Sequence, residues 1–115
     1  MDSSCIFCRI AAREIPSEIV RESERVVAFR DTNPQAPTHI LLIPKEHIAS
    51  VAELGDDQGD LLTDIVQAAN QLARAEGIVD DGWRLVTNVG PDAGQTVFHL
   101  HFHLLGGRSM GRLVG

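Results

Sequence analysis

Between residues 99 and 105 the chain reads His99-Leu100-His101-Phe102-His103-Leu104-Leu105. Strict alternation of polar and apolar residues is the pattern of a half-buried β-strand, whose side chains point to opposite faces in turn. The three imidazoles then share one face, roughly 6.5–7 Å apart along the strand. Leu100, Phe102 and Leu104 line the other face and must find a core. The histidine face is therefore expected to be the open face of a sheet, with the helical layer against the opposite one. Imidazole is nucleophile, acid, base and metal ligand near pH 7. Three readings of the row compete: a solvated polar face, a three-histidine metal site, and covalent catalysis with one ring attacking and the others positioning.

The rest of the chain is compatible with one domain, residues 1–115. With 43% hydrophobic residues it can build a core, and it lacks the apolar run of about 20 residues that a membrane span needs. The start, Met1-Asp2-Ser3-Ser4, has no basic and apolar signal, so a cytoplasmic location is expected. A net charge of −6 argues against a broad nucleic-acid surface, and one Trp with no Tyr argues against a base-stacking platform. A small anion remains compatible, because it needs only a local pocket of amide N–H groups and histidines.

Along the chain, Cys5 to Ala12 reads as one or two helical turns ended by Pro16. Ile19–Val20 and Arg25–Phe29 read as a hairpin turning at Glu22-Ser23-Glu24. Asp31 to Pro37 is a polar, proline-punctuated loop, and Thr38 to Ile43 is an apolar strand stopped by Pro44. A helical turn is expected over His47 to Leu54. Gln58 to Glu76 is the one long helix, with a stripe of Leu61, Leu62, Ile65, Val66, Ala69, Leu72 and Ala73, and Gly77 as its C-cap. Trp83 to Thr87 is a strand, Asn88 to Gln95 a loop, and Thr96 to Leu105 the histidine strand. This order implies an α+β fold: about five strands in a mainly antiparallel sheet, one long helix and a short N-terminal helix.

The loop before the histidines favours phosphoryl chemistry. Gly94 lets the backbone approach a ligand, N–H groups near Gly94–Thr96 can form an anion cradle, and Asn88 and Thr96 add neutral donors. No P-loop, GxSxG or HExxH pattern is present. Cys5-x-x-Cys8 alone stays ambiguous between buried thiols, a redox pair and half of a zinc knuckle.

The run His99-Leu-His-Phe-His-Leu-Leu-Gly-Gly-Arg108 resembles the histidine-triad motif. Asp31-Thr-Asn-Pro-Gln-Ala-Pro-Thr-His39 and Ile43-Pro-Lys-Glu-His47 look like the front half of the same family, and the Hint branch is the most similar. The resemblance covers residues 5–110 and implies a HIT-like fold and a nucleotidyl hydrolase, such as a purine nucleoside phosphoramidase. It makes His101 the nucleophile on the α-phosphate, through a nucleotidyl-histidine intermediate. His103 would contact the phosphate and help the departing group, His39 would pack beside the triad, and the His99 backbone carbonyl would hold the nucleophile's other ring nitrogen. Asn88, Gly94, Gln95 and Thr96 match the phosphate loop, with Thr96 where a leaving-group donor is usually Ser. Asp31 matches a ribose-binding acid, and Phe7, Ile10, Ile15 and Phe29 match the base pocket. The Cys-x-Phe-Cys start is similar to zinc-containing bacterial members, which implies a structural zinc on Cys5, Cys8, His47 and His99. An AMP-like purine nucleotide ligand and a homodimer are implied in the same way. A dinucleoside polyphosphate hydrolase and a non-catalytic nucleotide-binding regulator are the alternatives. The ending Met110-Gly-Arg-Leu-Val-Gly115 lacks the Trp-Pro-Pro-Gly-like tail of the branch.

Overall fold

The computed structural model describes residues 4–113. Parts of the start and of the tail discussed above, residues 1–3 and 114–115, lie outside them. A short helix α1, Ile6–Ala11, leads into strands β1, Ile19–Glu22, β2, Val26–Arg30, and β3, Thr38–Pro44. Helix α2, Gly59–Ala75, follows, then strands β4, Trp83–Thr87, and β5, Phe102–Gly106. The sheet is antiparallel throughout and runs β1-β2-β3-β5-β4. Among the described residues no helix is long and apolar enough to cross a membrane.

The central strand β3 is buried at all seven positions because both of its faces are covered. Ile40 and Leu42 point with Ala28, Leu100, Phe102 and Leu104 to a core closed by α2. Leu41 and Ile43 point with Val27 and Phe29 to a second core closed by Phe7, Cys8 and Ile10 of α1. The histidine face is therefore not simply open, as alternation suggested: α1 roofs one end of it. On α2 the buried stripe is Leu61, Ile65, Ala68, Ala69, Leu72 and Ala73. Leu62 and Val66 belong to the expected stripe but sit at its edge and are exposed.

Both helices end through the same backbone device. At α2, Gly77 has φ +72°, its N–H donates to the Arg74 carbonyl, and the Ile78 N–H donates to Ala73. This is a Schellman closure, for which glycine is suited. At α1 the left-handed residue is Arg13, φ 64°, with the Glu14 N–H donating to Arg9. That closure, rather than Pro16, ends the helix. Pro44 is the last residue of β3 rather than its stop, paired with Val26. The turn expected over His47–Leu54 is a single 3-10 turn, Val51–Glu53, capped by the Ser50 hydroxyl.

The largest departure concerns the histidine strand. β5 starts at Phe102, so His99 and His101 precede the ladder and only His103 lies in it. A 3-10 turn at Pro91–Ala93 and left-handed Gly94, φ 89°, bring the chain in at an angle. From 96 to 101 the backbone bonds elsewhere: the Leu100 N–H donates to the Ile48 carbonyl at 2.6 Å, and the Thr87 hydroxyl donates to His101 at 2.8 Å.

Next to the site, Arg30 grips Glu76 through two parallel bonds of 2.9 Å, and the Thr38 hydroxyl donates to the same carboxylate at 3.1 Å. This ties the end of β2 and the start of β3 to the end of α2. The Arg30 guanidinium holds the Glu76 carboxyl below the usual carboxylate range. A depressed folded-state pKa contributes stability that is complete above the unfolded value and lost as pH falls through the folded one. Glu76→Gln is therefore expected to lower unfolding stability by about 1–2 kcal/mol at pH 7. The gap to wild type should narrow as pH falls through the lowered Glu76 pKa, as read by urea melts across pH; an equal gap at both ends would contradict it.

Candidate active site and metal cluster

The β3–β5 register sets the first pair of rings. Leu41 lies opposite His103 and His39 opposite Leu105, so His39 and His103 are diagonal neighbours on one face. Their rings are 5.2 Å apart, and His39 Nε2 lies 2.9 Å from His103 Nδ1. Which nitrogen carries the proton follows from the next bond. The Gln35 backbone N–H donates to His39 Nδ1 at 3.0 Å. A backbone N–H can only donate, so His39 carries its proton on Nε2 and donates it to His103 Nδ1. Neutral His103 then carries its proton on Nε2. Burial, followed by the neighbouring His101 and His39, pushes the His103 pKa down to about 4. His39 is also lowered, by burial, with Asp31 opposing.

His101 is locked in the opposite tautomer. Its Nδ1 lies 2.7 Å from the His99 carbonyl, which can only accept, so the proton is on Nδ1 and the lone pair on Nε2. Phe7 packs its ring edge-on against His101 at 5.0 Å and His103 stands 5.1 Å away on the other side. Neither His101 Nε2 nor His103 Nε2 has a hydrogen-bond partner among the described residues, and no buried side-chain nitrogen or oxygen there is left unsatisfied. Both atoms therefore open to solvent. The site presents a bare lone pair on His101 beside an N–H donor on His103. That pairing suits attack on an anionic centre whose oxygens accept hydrogen bonds.

His99 faces the other way and is fully buried. Its Nε2 donates to the Pro44 carbonyl at 2.8 Å, which leaves Nδ1 bare. That atom lies 3.3 Å from Cys5 Sγ and 3.5 Å from Cys8 Sγ, and His47 Nδ1 lies 3.2 Å from Cys8 Sγ. All four ligand atoms fall within 4.8 Å of one another. A tetrahedral ion with thiolate and imidazole ligands needs S···N edges of about 3.5 Å, so the donor set fits one. Cys5 also caps α1, its sulfur accepting the Cys8 N–H at 3.4 Å. His47 is the exposed member, at the edge of a groove of about 380 Å³ that Thr96 and Phe98 also line.

The remaining expected residues divide. Phe7, Phe29 and Ile10 are buried in one cluster beside His101, with half-buried Ile15 against it. Asp31 directs Oδ1 to the Asn33 N–H at 2.8 Å and Oδ2 towards His39 Nε2 at 3.4 Å. Asn88 is half-buried and directly follows Thr87, whose hydroxyl holds the His101 carbonyl. Gln95 is a brace of its own loop. Its side-chain amide donates to the Ala49 and Val97 carbonyls, its oxygen accepts the Gly90 N–H, and its backbone N–H also returns to Gly90. It has no donor left for a phosphate. Gly94 and Thr96 are exposed. Sequence reasoning did not single out the Gln35 N–H or the Pro44 carbonyl, because a peptide group carries no residue signal.

Comparison with known proteins agrees with this geometry. The description "HIT domain" matches residues 12–110. The chain is 45% identical over 114 residues to the purine nucleoside phosphoramidase of Escherichia coli (strain K12), spanning 99% of this chain and 96% of that one. It is 48% identical over 111 residues to the 14 kDa zinc-binding protein of Zea mays, spanning 95% and 86%. A solved HIT family hydrolase from Clostridium thermocellum superposes with a TM-score of 0.95 at 54% identity, covering 99% of both chains. The match over nearly the whole length, in sequence and in fold, makes this chain a member of the HIT domain family.

Proposed function

We propose that this protein is a nucleoside phosphoramidase, hydrolysing the P–N bond of purine nucleoside 5′-phosphoramidates and related nucleotidyl substrates. The observation that carries the reading is the tautomer lock on His101, with Nδ1–H on the His99 carbonyl at 2.7 Å and Nε2 free. His101 Nε2 attacks the α-phosphorus as the bond to the leaving amine breaks, and the amine departs with a proton from solvent. The ring is then a cation that the His99 carbonyl stabilises. Water attacks the nucleotidyl-histidine, the bond from phosphorus to His101 Nε2 breaks with its electron pair returning to that nitrogen, the water's proton goes to solvent, and nucleoside monophosphate leaves. His103 Nε2–H donates to a non-bridging oxygen throughout. Thr96 is assigned to the leaving-group side, Asp31 to the ribose, Asn88 and Gly94 to the phosphate, and the Phe7–Ile10–Ile15–Phe29 cluster to the base.

Substitution His101→Ala is expected to lower turnover of an adenosine phosphoramidate by at least about a thousandfold while AMP binding persists. Rapidly quenched wild type should carry one AMP-sized mass increment on the peptide that contains His101. Turnover retained in the variant, or preference for a dinucleoside polyphosphate, would replace this reading.

Zinc is assigned to Cys5, Cys8, His47 and His99. The chemistry it supplies is structural, since four protein ligands close a tetrahedral site. Protein purified without a tag is expected to contain about one zinc per chain. Cys8→Ser should lose the metal and melt several degrees lower while keeping measurable turnover; metal-free wild type of unchanged stability would contradict the assignment.

A homodimer is assigned as well. The outer edge of β4 and the exposed Leu62 and Val66 of α2 are among the surfaces it could use. Equilibrium sedimentation should return twice the 12.5 kDa chain mass.

A further inference from the structure

The tautomer chain that prepares His103 starts at a backbone group in a loop, and something must hold that loop. Gln35 lies in the proline-punctuated segment Asp31–Pro37, outside any helix or strand. Its N–H reaches His39 Nδ1 at 3.0 Å, and its carbonyl receives two bonds from one side chain. Arg108 Nε–H donates to it at 2.9 Å and Nη2–H at 2.7 Å, while Nη1–H donates to Ser109 at 2.9 Å. Three of the five guanidinium N–H groups are thus spent on backbone carbonyls. The residue before it reinforces the grip. Gly107 has φ +92°, and a Cβ there would come within 2.9 Å of Pro37 Cβ, so the backbone after β5 packs directly on the loop.

We propose that Arg108 is a positioning residue of the reaction, acting through Gln35 and His39 to keep the donor proton of His103 on its outward nitrogen. The inference rests on the phosphoramidase reading for its kinetic consequence, but not for its structural one. Anchoring the Gln35 carbonyl fixes the orientation of that residue and aims its N–H at His39 Nδ1. An N–H there bars a proton from Nδ1 and leaves it on Nε2. His103 Nδ1 must then accept, and its proton stays on Nε2, where a phosphoryl oxygen binds. Without the clamp the loop can turn, Nδ1 of His39 becomes free to take a proton, and both rings can exchange tautomers. Asp31, at the root of the loop, is anchored separately by its N–H on the His39 carbonyl at 3.0 Å, and the apolar cluster lies on α1, β2 and β3, so binding should change less than turnover.

The test compares wild type with Arg108→Ala and Arg108→Lys by long-range 1H–15N spectra of the imidazoles and by steady-state kinetics on an adenosine phosphoramidate. Wild type should show His39 and His103 each as a single Nε2–H form near pH 7. Arg108→Ala should show averaged nitrogen shifts at both rings, with kcat reduced about tenfold and KM within about twofold. Arg108→Lys keeps the charge but not the fork and should fall between. Unchanged tautomers in the variants overturn the proposal, whatever the kinetics; so does a KM effect with kcat intact. Should Arg108→Ala fail to fold, Arg108→Lys carries the same comparison. A wild type that turns over no phosphoramidate removes the functional reading, while the tautomer comparison still decides the positioning role.

Discussion

The protein depends most on what a single buried ring does. His99 donates through Nε2 to the end of β3, offers Nδ1 to Cys5, which caps α1, and to Cys8 in its first turn, and lends its carbonyl to His101. Each bond constrains the next. The Pro44 carbonyl fixes which ring nitrogen is bare, so the same ring can ligate. Under the zinc assignment proposed above, ligation would hold the residue against the N-terminal helix and its carbonyl in one orientation. The His101 tautomer is thus set by a backbone group of the residue that packs on α1.

That arrangement is possible because the sheet is packed on both faces and the site lies at the boundary of the thinner layer. α2 covers one face with a continuous stripe. α1 has only six residues and covers only part of the other. Beyond it, His101 and His39 remain buried while His103 is half-buried. A larger roof would bury the lone pair; none at all would leave His99 and the cysteines wet and the bond from His101 Nδ1–H to the His99 carbonyl unsupported. The half-covered face reconciles a dry Cys–His cluster with a His101 Nε2 left unbonded among the described residues.

Much of this was legible in the sequence, and what was not has a physical reason. Alternation at 99–105 correctly placed Leu100, Phe102 and Leu104 towards α2 and gave the row of histidines on the other side. It mistook the extended approach for a ladder, because period two records only side-chain direction; whether a partner strand is present depends on β4 ending at Thr87. The apolar stripe found α2 to within one residue at each end, but counted Leu62 and Val66 as core, since periodicity cannot weigh the width of the covered face. Gln95 shows the same limit at the site. Its place in the loop suggested a phosphate donor, and its amide instead satisfies three backbone groups. Clustering of Cys5, Cys8, His47 and His99 spans 94 residues and was reachable only through the resemblance.

His101 and His103 are neighbours with opposite tautomers, and backbone groups enforce both. A carbonyl fixes His101 as acceptor outward; an amide, through His39, fixes His103 as donor outward. Side-chain carboxylates could impose similar tautomers, but they would add charge beside an anionic phosphate and would favour imidazolium forms. Peptide groups direct protons without that penalty. The one acid near the rings, Asp31, has an oxygen bound to the Asn33 N–H, and burial outweighs its pull on both His39 and His103. An outward lone pair on His101 and an outward N–H on His103 thus stand on rings 5.1 Å apart, a pairing that suits attack on a centre whose oxygens accept hydrogen bonds.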